Sequence, residues 1–134
     1  MGTWTACKFS SLGSAAIGYT PVVGYVQSPT GTEAWLQTTV TNVGPTTIAI
    51  VVVNSFFSYS SGVYYDADCF DTSANFAGYH AIVVVGYGTD ASLGDYWIVR
   101  NSWGTGWGES GYIRMARNKN NLCGLASSAT YPTV

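Results

Sequence analysis

Two apolar runs constrain the fold of this chain more than any other feature of its sequence. Residues 48–53 are apolar at every position, and five of the six are β-branched. β-Branched side chains favour extended backbone, and a strand that is apolar throughout is typical of one buried on both faces. Residues 80–87 form a second strongly apolar run. The sequence therefore predicts two buried strands at the centre of a sheet.

Shorter extended segments surround these runs and are predicted at residues 17–26, 96–100, 111–116 and 129–134. Pro21 lacks a backbone donor, which favours an edge position or a bulge for the first of them. Turn-forming residues separate the strands, as at residues 28–31 and 90–95. This spacing indicates a mainly β fold in one domain, residues 1–134. We expect an antiparallel, barrel-like sheet, closed or nearly closed, with one or two short helices.

One short helix is predicted between the first extended segment and the first apolar run. Thr30 and Glu33 have the spacing of a capping box, which starts a helix. The positions that would face the core are Leu36, Val40 and Val43. Threonines at positions 38, 39 and 41 are weak helix formers, so the helix should be short. The Gly-Pro pair at residues 44–45 should end it.

Composition excludes several classes of function. Of the 134 residues, 9% are charged, and the formal net charge is −2, so no basic surface for nucleic acid is expected. The late cations are interpreted as solvated strand ends; they are Arg100, Arg114, Arg117 and Lys119. No apolar run approaches the ~20 residues that a membrane helix needs. Residues 1–6 have neither a basic segment nor an apolar core, so no secretory signal peptide is predicted.

The cysteine count leaves the disulfide pairing open. The three cysteines are Cys7, Cys69 and Cys123, and no two have the Cys-x-x-Cys spacing of a zinc ligand pair. No metal site is therefore predicted. An odd count indicates one disulfide and one remaining thiol, but spacing alone does not select the pair.

A single histidine, His80, opens the second apolar run. Taken alone, a histidine in this position is more often a structural residue than a catalytic one. Residues 101–108, Asn-Ser-Trp-Gly-Thr-Gly-Trp-Gly, offer it a partner. An asparagine amide can accept the ring N–H of an imidazole, and an indole above that bond would exclude water. The alternative is a glycine-rich turn clamped by two tryptophans.

Matches along nearly the whole chain resemble one enzyme family. The segments that carry the resemblance are residues 80–88, 96–104, 107–108, 111–113, 121–126 and 131–134. Together they resemble the surroundings of the catalytic histidine and asparagine in papain-family cysteine peptidases, and the last two are similar to cathepsin L-like members. The resemblance implies the C-terminal, right-hand β-rich domain of the papain fold and no cofactor.

The resemblance also implies roles for individual residues. His80 would be the general base that ionises a cysteine nucleophile, and Asn101 would orient it. Trp103 would cover their hydrogen bond and border the leaving-group subsite, with Trp107 as a second shielding residue. The residues near the pocket for the substrate's second side chain would be Ala49, Tyr79, Ala81 and Ser128.

The three cysteines are assigned by the same resemblance. Cys69 and Cys123 correspond to a disulfide within this half of the molecule. Cys7 corresponds to a cysteine whose partner lies in the other half, so here it would be a free thiol or form an intermolecular bridge.

The family's nucleophile has no counterpart in these residues. It lies in a Cys-Gly-Ser-Cys-Trp-like segment about 130–150 residues before the histidine, whereas 79 residues precede His80. We therefore expect the nucleophilic cysteine and the oxyanion-hole glutamine to be absent and the chain alone to be inactive. Its expected partner is the missing N-terminal half. Family members are lysosomal or secreted.

Several residues depart from the family pattern. Tyr79 stands where Asp or Asn is usual, and Val51 stands where Asp is usual. These apolar changes, and a start at Met1-Gly2, favour a truncated, altered or engineered recombinant chain that could self-associate through its apolar face. Two alternatives stay open. One is a free-standing β-barrel scaffold or binding module without a catalytic role. The other is silicatein parentage, in which serine replaces the nucleophile.

Overall fold

The computed structural model describes residues 22–134, so Cys7 and the first half of the first predicted strand lie outside the described residues. The helices are α1 (Glu33–Asn42), α2 (Asn54–Phe57) and a short 3-10 helix (Leu122–Gly124). The strands are β1 (Gly24–Gln27), β2 (Thr46–Val53), β3 (Val63–Tyr64), β4 (Phe76–Asp90), β5 (Gly94–Arg100), β6 (Tyr112–Ala116) and β7 (Thr130–Thr133). None of the described helices is both long enough and apolar enough to cross a membrane.

The seven strands form one sheet in the order β1-β7-β2-β4-β5-β6-β3. Neighbouring strands are antiparallel, except that β3 runs parallel to β6. The predicted mainly β fold with short helices is confirmed, but the sheet does not close into a barrel within residues 22–134. The two edge strands, β1 and β3, do not pair with each other, and β3 has only two residues.

The three central strands bring distant parts of the chain together. Strand β4 starts at Phe76, four residues before the predicted start, and continues to Asp90. It pairs with β2 over eight residue positions and with β5 through a hairpin whose turn is residues 91–93. Because Arg100 at the end of β5 pairs with Val83, the residues that follow β5 lie beside the beginning of β4.

The prediction that residues 48–53 are buried on both faces is wrong for the first half of the run. In β2, Ile48 and Ile50 are each 1% exposed, whereas Ala49 between them is exposed. Only Val52 and Val53, at the end of the strand, are buried in succession. The first half faces the core on one side only, because no described element packs on its other side. A continuous apolar run does not by itself distinguish these two cases.

Helix α1 forms where predicted but is capped differently. Thr32, not Thr30, is the N-cap, and its hydroxyl accepts the N–H of Trp35 at 3.3 Å. Of the predicted core-facing positions, Leu36 is buried and Val43 is exposed. The helix ends at Asn42, before the Gly-Pro pair, as expected.

The core joins one face of the sheet to the helices. Buried side chains of β2, β4, β5 and β6 form a single cluster with Leu36 of α1 and Phe56 of α2. Arg117 lies against this cluster, 8% exposed, with its guanidinium 4.9 Å from the ring centre of Tyr87 and 5.6 Å from that of Trp97. The interpretation of Arg117 as a solvated strand end is therefore wrong. The flat guanidinium is weakly hydrated, and aromatic faces stabilise it.

The disulfide between Cys69 and Cys123 is present, with 4.8 Å between the two Cα atoms. It ties the segment after β3 to the 3-10 helix, and both cysteines are buried. Cys7 lies outside the described residues, so its state as a thiol stays a prediction.

Candidate active site

His80 and Asn101 meet because their strands are neighbours. His80 lies in β4 opposite Ile50 of β2, and Asn101 follows the last residue of β5. The imidazole Nε2 lies 2.9 Å from Oδ1 of Asn101. Two residues separated by 21 positions in the sequence are therefore held within hydrogen-bonding distance by the pairing of β4 and β5.

The contacts of Asn101 determine which imidazole nitrogen carries the proton. The backbone N–H of Ser102 also points at Oδ1, at 2.7 Å, and a backbone N–H can only donate. Oδ1 is therefore the carbonyl oxygen of the amide, and the imidazole must donate to it from Nε2. In the neutral ring this leaves Nδ1 without a proton and able to accept one. No described residue forms a hydrogen bond with Nδ1.

The bond between His80 and Asn101 is protected from water. Asn101 is 7% exposed, and a hydrogen bond in such surroundings is stronger than one in solvent. The Nδ2 atom of Asn101 is buried without a hydrogen-bond acceptor among the described residues. The amide is therefore held by its oxygen alone, through His80 and Ser102.

Trp103 provides the cover predicted for this bond. Its ring stacks on His80 with 5.0 Å between ring centres and an angle of 26° between planes. Trp107, the second predicted shielding residue, forms no described ring contact with His80. It meets Trp103 edge-on at 5.2 Å, and so supports the residue that touches the imidazole.

Two further aromatic residues belong to this cluster and were not predicted. Phe56 is fully buried and meets the edge of Trp103 at 5.6 Å, while Phe57 stacks parallel to Trp103 at 5.4 Å and 5°. The available sequence signal is the density of aromatic residues after residue 55. No local periodicity showed that this segment would face the tryptophans.

Three of the four residues predicted near the second side-chain pocket lie on one face of the sheet. Ala49 pairs with Ala81, and Val51 pairs with Tyr79. Because side chains alternate along a strand, the residues of both pairs lie on the face of the sheet away from Ile50. Ala49, Tyr79 and Ala81 are exposed. The two alanines have small side chains, and Tyr79 lies on the same face two positions from Ala81.

Ser128, the fourth predicted pocket residue, is exposed just before β7. It precedes Thr130, the residue of β7 that pairs with Thr47 of β2, by two positions. Ser128 therefore lies towards the same part of the sheet, on a neighbouring segment of chain.

Tyr79 is tethered at its hydroxyl group. The hydroxyl donates a hydrogen bond to Oδ2 of Asp71 at 2.9 Å, and the ring meets Phe76 edge-on at 5.4 Å. This hydrogen bond to Asp71 raises the pKa of Tyr79, because the phenolic proton is the one that the carboxylate holds. The residue that departs from the family pattern beside His80 is therefore fixed in place, although 67% of it is exposed.

The described residues provide a base without a nucleophile. Both described cysteines form the disulfide. The Ser55 hydroxyl is engaged with Tyr64 and Asp66, and no described hydrogen bond joins Ser102 Oγ to His80. No three metal-ligating side chains converge within residues 22–134. The arrangement can therefore accept a proton at Nδ1 from a group supplied by something else.

Comparison with known proteins agrees with this geometry. The profile of the family described as papain family cysteine protease matches residues 3–133. A cathepsin L-like protein of Caenorhabditis elegans is 53% identical over 112 residues, which cover 83% of this chain and 32% of that protein. Cathepsin L of Sarcophaga peregrina is 47% identical over 130 residues, which cover 96% of this chain and 36% of that protein.

A solved structure shows the same fold. Digestive procathepsin L 3 of the Tenebrio molitor larval midgut superposes with a TM-score of 0.76 at 44% sequence identity. The match covers 86% of this chain and 36% of the other. The chain thus spans about a third of the length of these relatives and corresponds to their C-terminal part.

Proposed function

Because this chain belongs to the papain family of cysteine proteases, we propose that it is the histidine-and-asparagine half of a cathepsin L-like endopeptidase. The observation that carries the proposal is the hydrogen bond from Nε2 of His80 to Oδ1 of Asn101. That bond leaves Nδ1 as the proton acceptor, which is the role that a thiol nucleophile requires of an imidazole.

In the proposed reaction, a cysteine thiol gives its proton to Nδ1 of His80, and the sulfur attacks the carbonyl carbon of a peptide bond. The resulting imidazolium then gives that proton from Nδ1 to the leaving amine as the C–N bond breaks, which leaves a thioester. A water molecule then gives a proton to Nδ1 and attacks the carbonyl carbon of the thioester. As the C–S bond breaks, the imidazolium returns that proton to sulfur, which releases the acid and restores the thiol and the neutral imidazole. Throughout, Asn101 accepts the Nε2 proton and holds the ring plane.

The nucleophile in this proposal comes from a second lobe. None of the described residues places a thiol or hydroxyl against Nδ1, and residues 1–21 contain no Cys-Gly-Ser-Cys-Trp-like segment. The chain alone should therefore show no appreciable peptidase activity. Loss of a nucleophile from such a triad costs on the order of a million-fold in rate. The second lobe would carry the cysteine and the oxyanion-hole donor. It would approach the imidazole of His80, next to the exposed residues Ala49, Tyr79 and Ala81.

The proposed setting is a lysosomal or secreted, digestive compartment. The Tenebrio molitor relative is a digestive protein of the larval midgut. The disulfide between Cys69 and Cys123 agrees with an oxidising compartment, where such bonds form and persist.

The test is complementation. The chain is mixed with the separately produced N-terminal lobe of the Sarcophaga peregrina cathepsin L, and cleavage of a fluorogenic peptide is measured. We expect activity that is lost on His80→Ala and lost when the lobe's nucleophilic cysteine is replaced by alanine. A lobe with serine in place of that cysteine tests silicatein-like parentage. Only a site that works with a hydroxyl nucleophile would keep its activity after this replacement.

The outcomes separate the proposal from its rivals. Binding of the lobe without activity would contradict the proposed catalytic role. A stable chain that does not bind the lobe would favour a scaffold or an altered, engineered domain. Sedimentation of the chain alone tests self-association, since a dimer formed through the face of Ala49, Tyr79 and Ala81 would block the lobe.

A further inference from the structure

The position of Trp103 is not set by its own backbone. It lies in an exposed, glycine-rich turn, and its backbone forms no hydrogen bond with the backbone of another described residue. The turn is held instead at its ends, where the N–H of Asn101 bonds to Gly111 at 2.9 Å and that of Trp107 bonds to Gly104 at 3.4 Å. Gly104 has a φ of +83°, a backbone conformation that glycine adopts readily and other residues rarely adopt. Side-chain contacts must therefore decide where the indole lies.

Phe57 makes the flattest of these contacts. Its ring is within 5° of parallel to Trp103, and both Phe57 and His80 stack on that one indole. Phe57 is 53% exposed, so burial of its own surface does not explain its orientation. We infer that Phe57 is a positioning residue, which holds Trp103 over the hydrogen bond between His80 and Asn101.

Phe57 is itself anchored to the same cluster. Its backbone carbonyl accepts the indole N–H of Trp107 at 3.1 Å, and the ring of Trp107 meets Trp103 at 5.2 Å. The next residue back, Phe56, is fully buried and also contacts Trp103. Helix α2 and the turn that carries the two tryptophans are thus joined by a closed loop of contacts. The carbonyl of Phe57 binds Trp107, the ring of Trp107 contacts Trp103, and Trp103 stacks on the ring of Phe57. Loss of the Phe57 ring opens that loop at its exposed side.

Opening the loop has a specific consequence. Without Phe57, the indole of Trp103 can swing away from the imidazole and admit water to the Nε2–H of His80. The strength of one aromatic pair corresponds to roughly a tenfold change in an equilibrium constant. Exchange of the Nε2 proton with solvent, which requires such an opening, should therefore become about tenfold faster.

The experiment uses the 134-residue chain alone, labelled with ¹⁵N. Because the chain has one histidine, its imidazole signals need no assignment. Exchange of the His80 Nε2 proton is measured in the parent, in Phe57→Ala, in Phe57→Leu and in Phe57→Tyr. Phe70→Ala is the matched control, since Phe70 is similarly exposed, at 46%, and lies outside the aromatic cluster.

We expect faster exchange in Phe57→Ala, an intermediate rate in Phe57→Leu, which keeps apolar volume but not a flat face, and the parent rate in Phe57→Tyr and Phe70→Ala. An unchanged rate in Phe57→Ala overturns the inference, as does an equal acceleration in Phe70→Ala. If Phe57→Ala does not fold, Phe57→Leu decides in the same way. This readout needs no peptidase activity, so it can fail or succeed independently of the proposed function.

A kinetic arm connects the inference to catalysis and rests on the proposed function. In the complemented two-lobe enzyme, Phe57→Ala should lower kcat by about tenfold, with a smaller change in KM. Phe57→Tyr should restore it. A change confined to KM would assign Phe57 to substrate contact and would overturn its positioning role.

Discussion

The indole N–H of Trp97 donates a hydrogen bond to the carboxylate of Glu33 at 3.0 Å, across 64 positions of sequence. Trp97 is fully buried in β5, and Glu33 is the first residue of α1. The same carboxylate accepts the backbone N–H of Asn118 at 2.8 Å and of Asn121 at 3.0 Å. One acidic side chain therefore joins the helix, the centre of the sheet and the segment that leads to the disulfide.

Replacing Glu33 by alanine should lower the free energy of unfolding by about 2–4 kcal/mol, because a buried indole N–H and two backbone N–H groups lose their acceptor. Chemical denaturation measures the change. Asn42→Ala is the matched control at the exposed end of the same helix and should change stability by less than about 0.5 kcal/mol. Equal effects of the two substitutions would contradict this role of Glu33.

Replacing Asn101 by alanine should release the imidazole from a single tautomer. In the parent chain we expect the neutral ring of His80 to carry its proton on Nε2 alone, because Oδ1 of Asn101 accepts it there. Without that acceptor, ¹⁵N shifts of the one histidine should show a mixture of both tautomers. Ser102→Ala keeps the backbone N–H that orients Asn101 and should retain the single tautomer. A single Nε2–H tautomer in Asn101→Ala would refute the interpretation.

Removing the disulfide by the double substitution of Cys69 and Cys123 with alanine should destabilise the chain by about 2–4 kcal/mol. The two cysteines are 54 positions apart, and opening a loop of that length increases the entropy of the unfolded state. Thermal or urea unfolding checks the size of the effect. A reducing agent should destabilise the parent and leave the double variant unchanged. Equal sensitivity of both chains to reduction would show that the stability comes from elsewhere.

Glu109 should make stability depend on acid pH. Hydrogen bonds from the guanidinium of Arg114, the shortest at 2.7 Å, lower the pKa of the Glu109 carboxyl, and the N–H of Gly62 adds to the effect. A folded pKa below the unfolded value, about 4.3, means that the stabilisation is complete above the unfolded pKa and is lost as pH falls through the folded pKa.

Glu109→Gln should therefore be less stable than the parent at pH 6, by about 1 kcal/mol given the partial exposure of the pair. The difference should shrink as the pH is lowered below 4. Denaturation curves across this range measure it. Asp68→Asn is the control, since Asp68 is exposed and its carboxylate has no hydrogen-bond partner among the described residues. A difference between Glu109→Gln and the parent that stays constant with pH would contradict the assignment.

The short-range pattern of the sequence predicted helix α1 and the longer strands but not their surroundings, and it did not locate α2, β3 or the 3-10 helix. The apolar runs at residues 48–53 and 80–87 are strands, and the helix lies between residues 33 and 42. The prediction that the first run is buried on both faces was wrong at Ala49, which is exposed. The residues of a strand do not specify whether a second layer covers its outer face. The N-cap is Thr32 and not the predicted Thr30, again because of contacts with residues distant in the sequence. The Glu33 side chain reaches Trp97 and the turn at residues 118–121 instead of folding back on the helix start.

What the sequence alone determined is the family and the identity of the histidine and asparagine pair, because those residues lie in contiguous motifs whose chemistry is local. The tertiary structure decided which nitrogen of His80 carries the proton, which rings hold Trp103, and that Arg117 is buried. Each of these depends on residues tens of positions apart that meet only when β4, β5 and α2 pack together. Contacts of that range leave no periodic trace in the sequence.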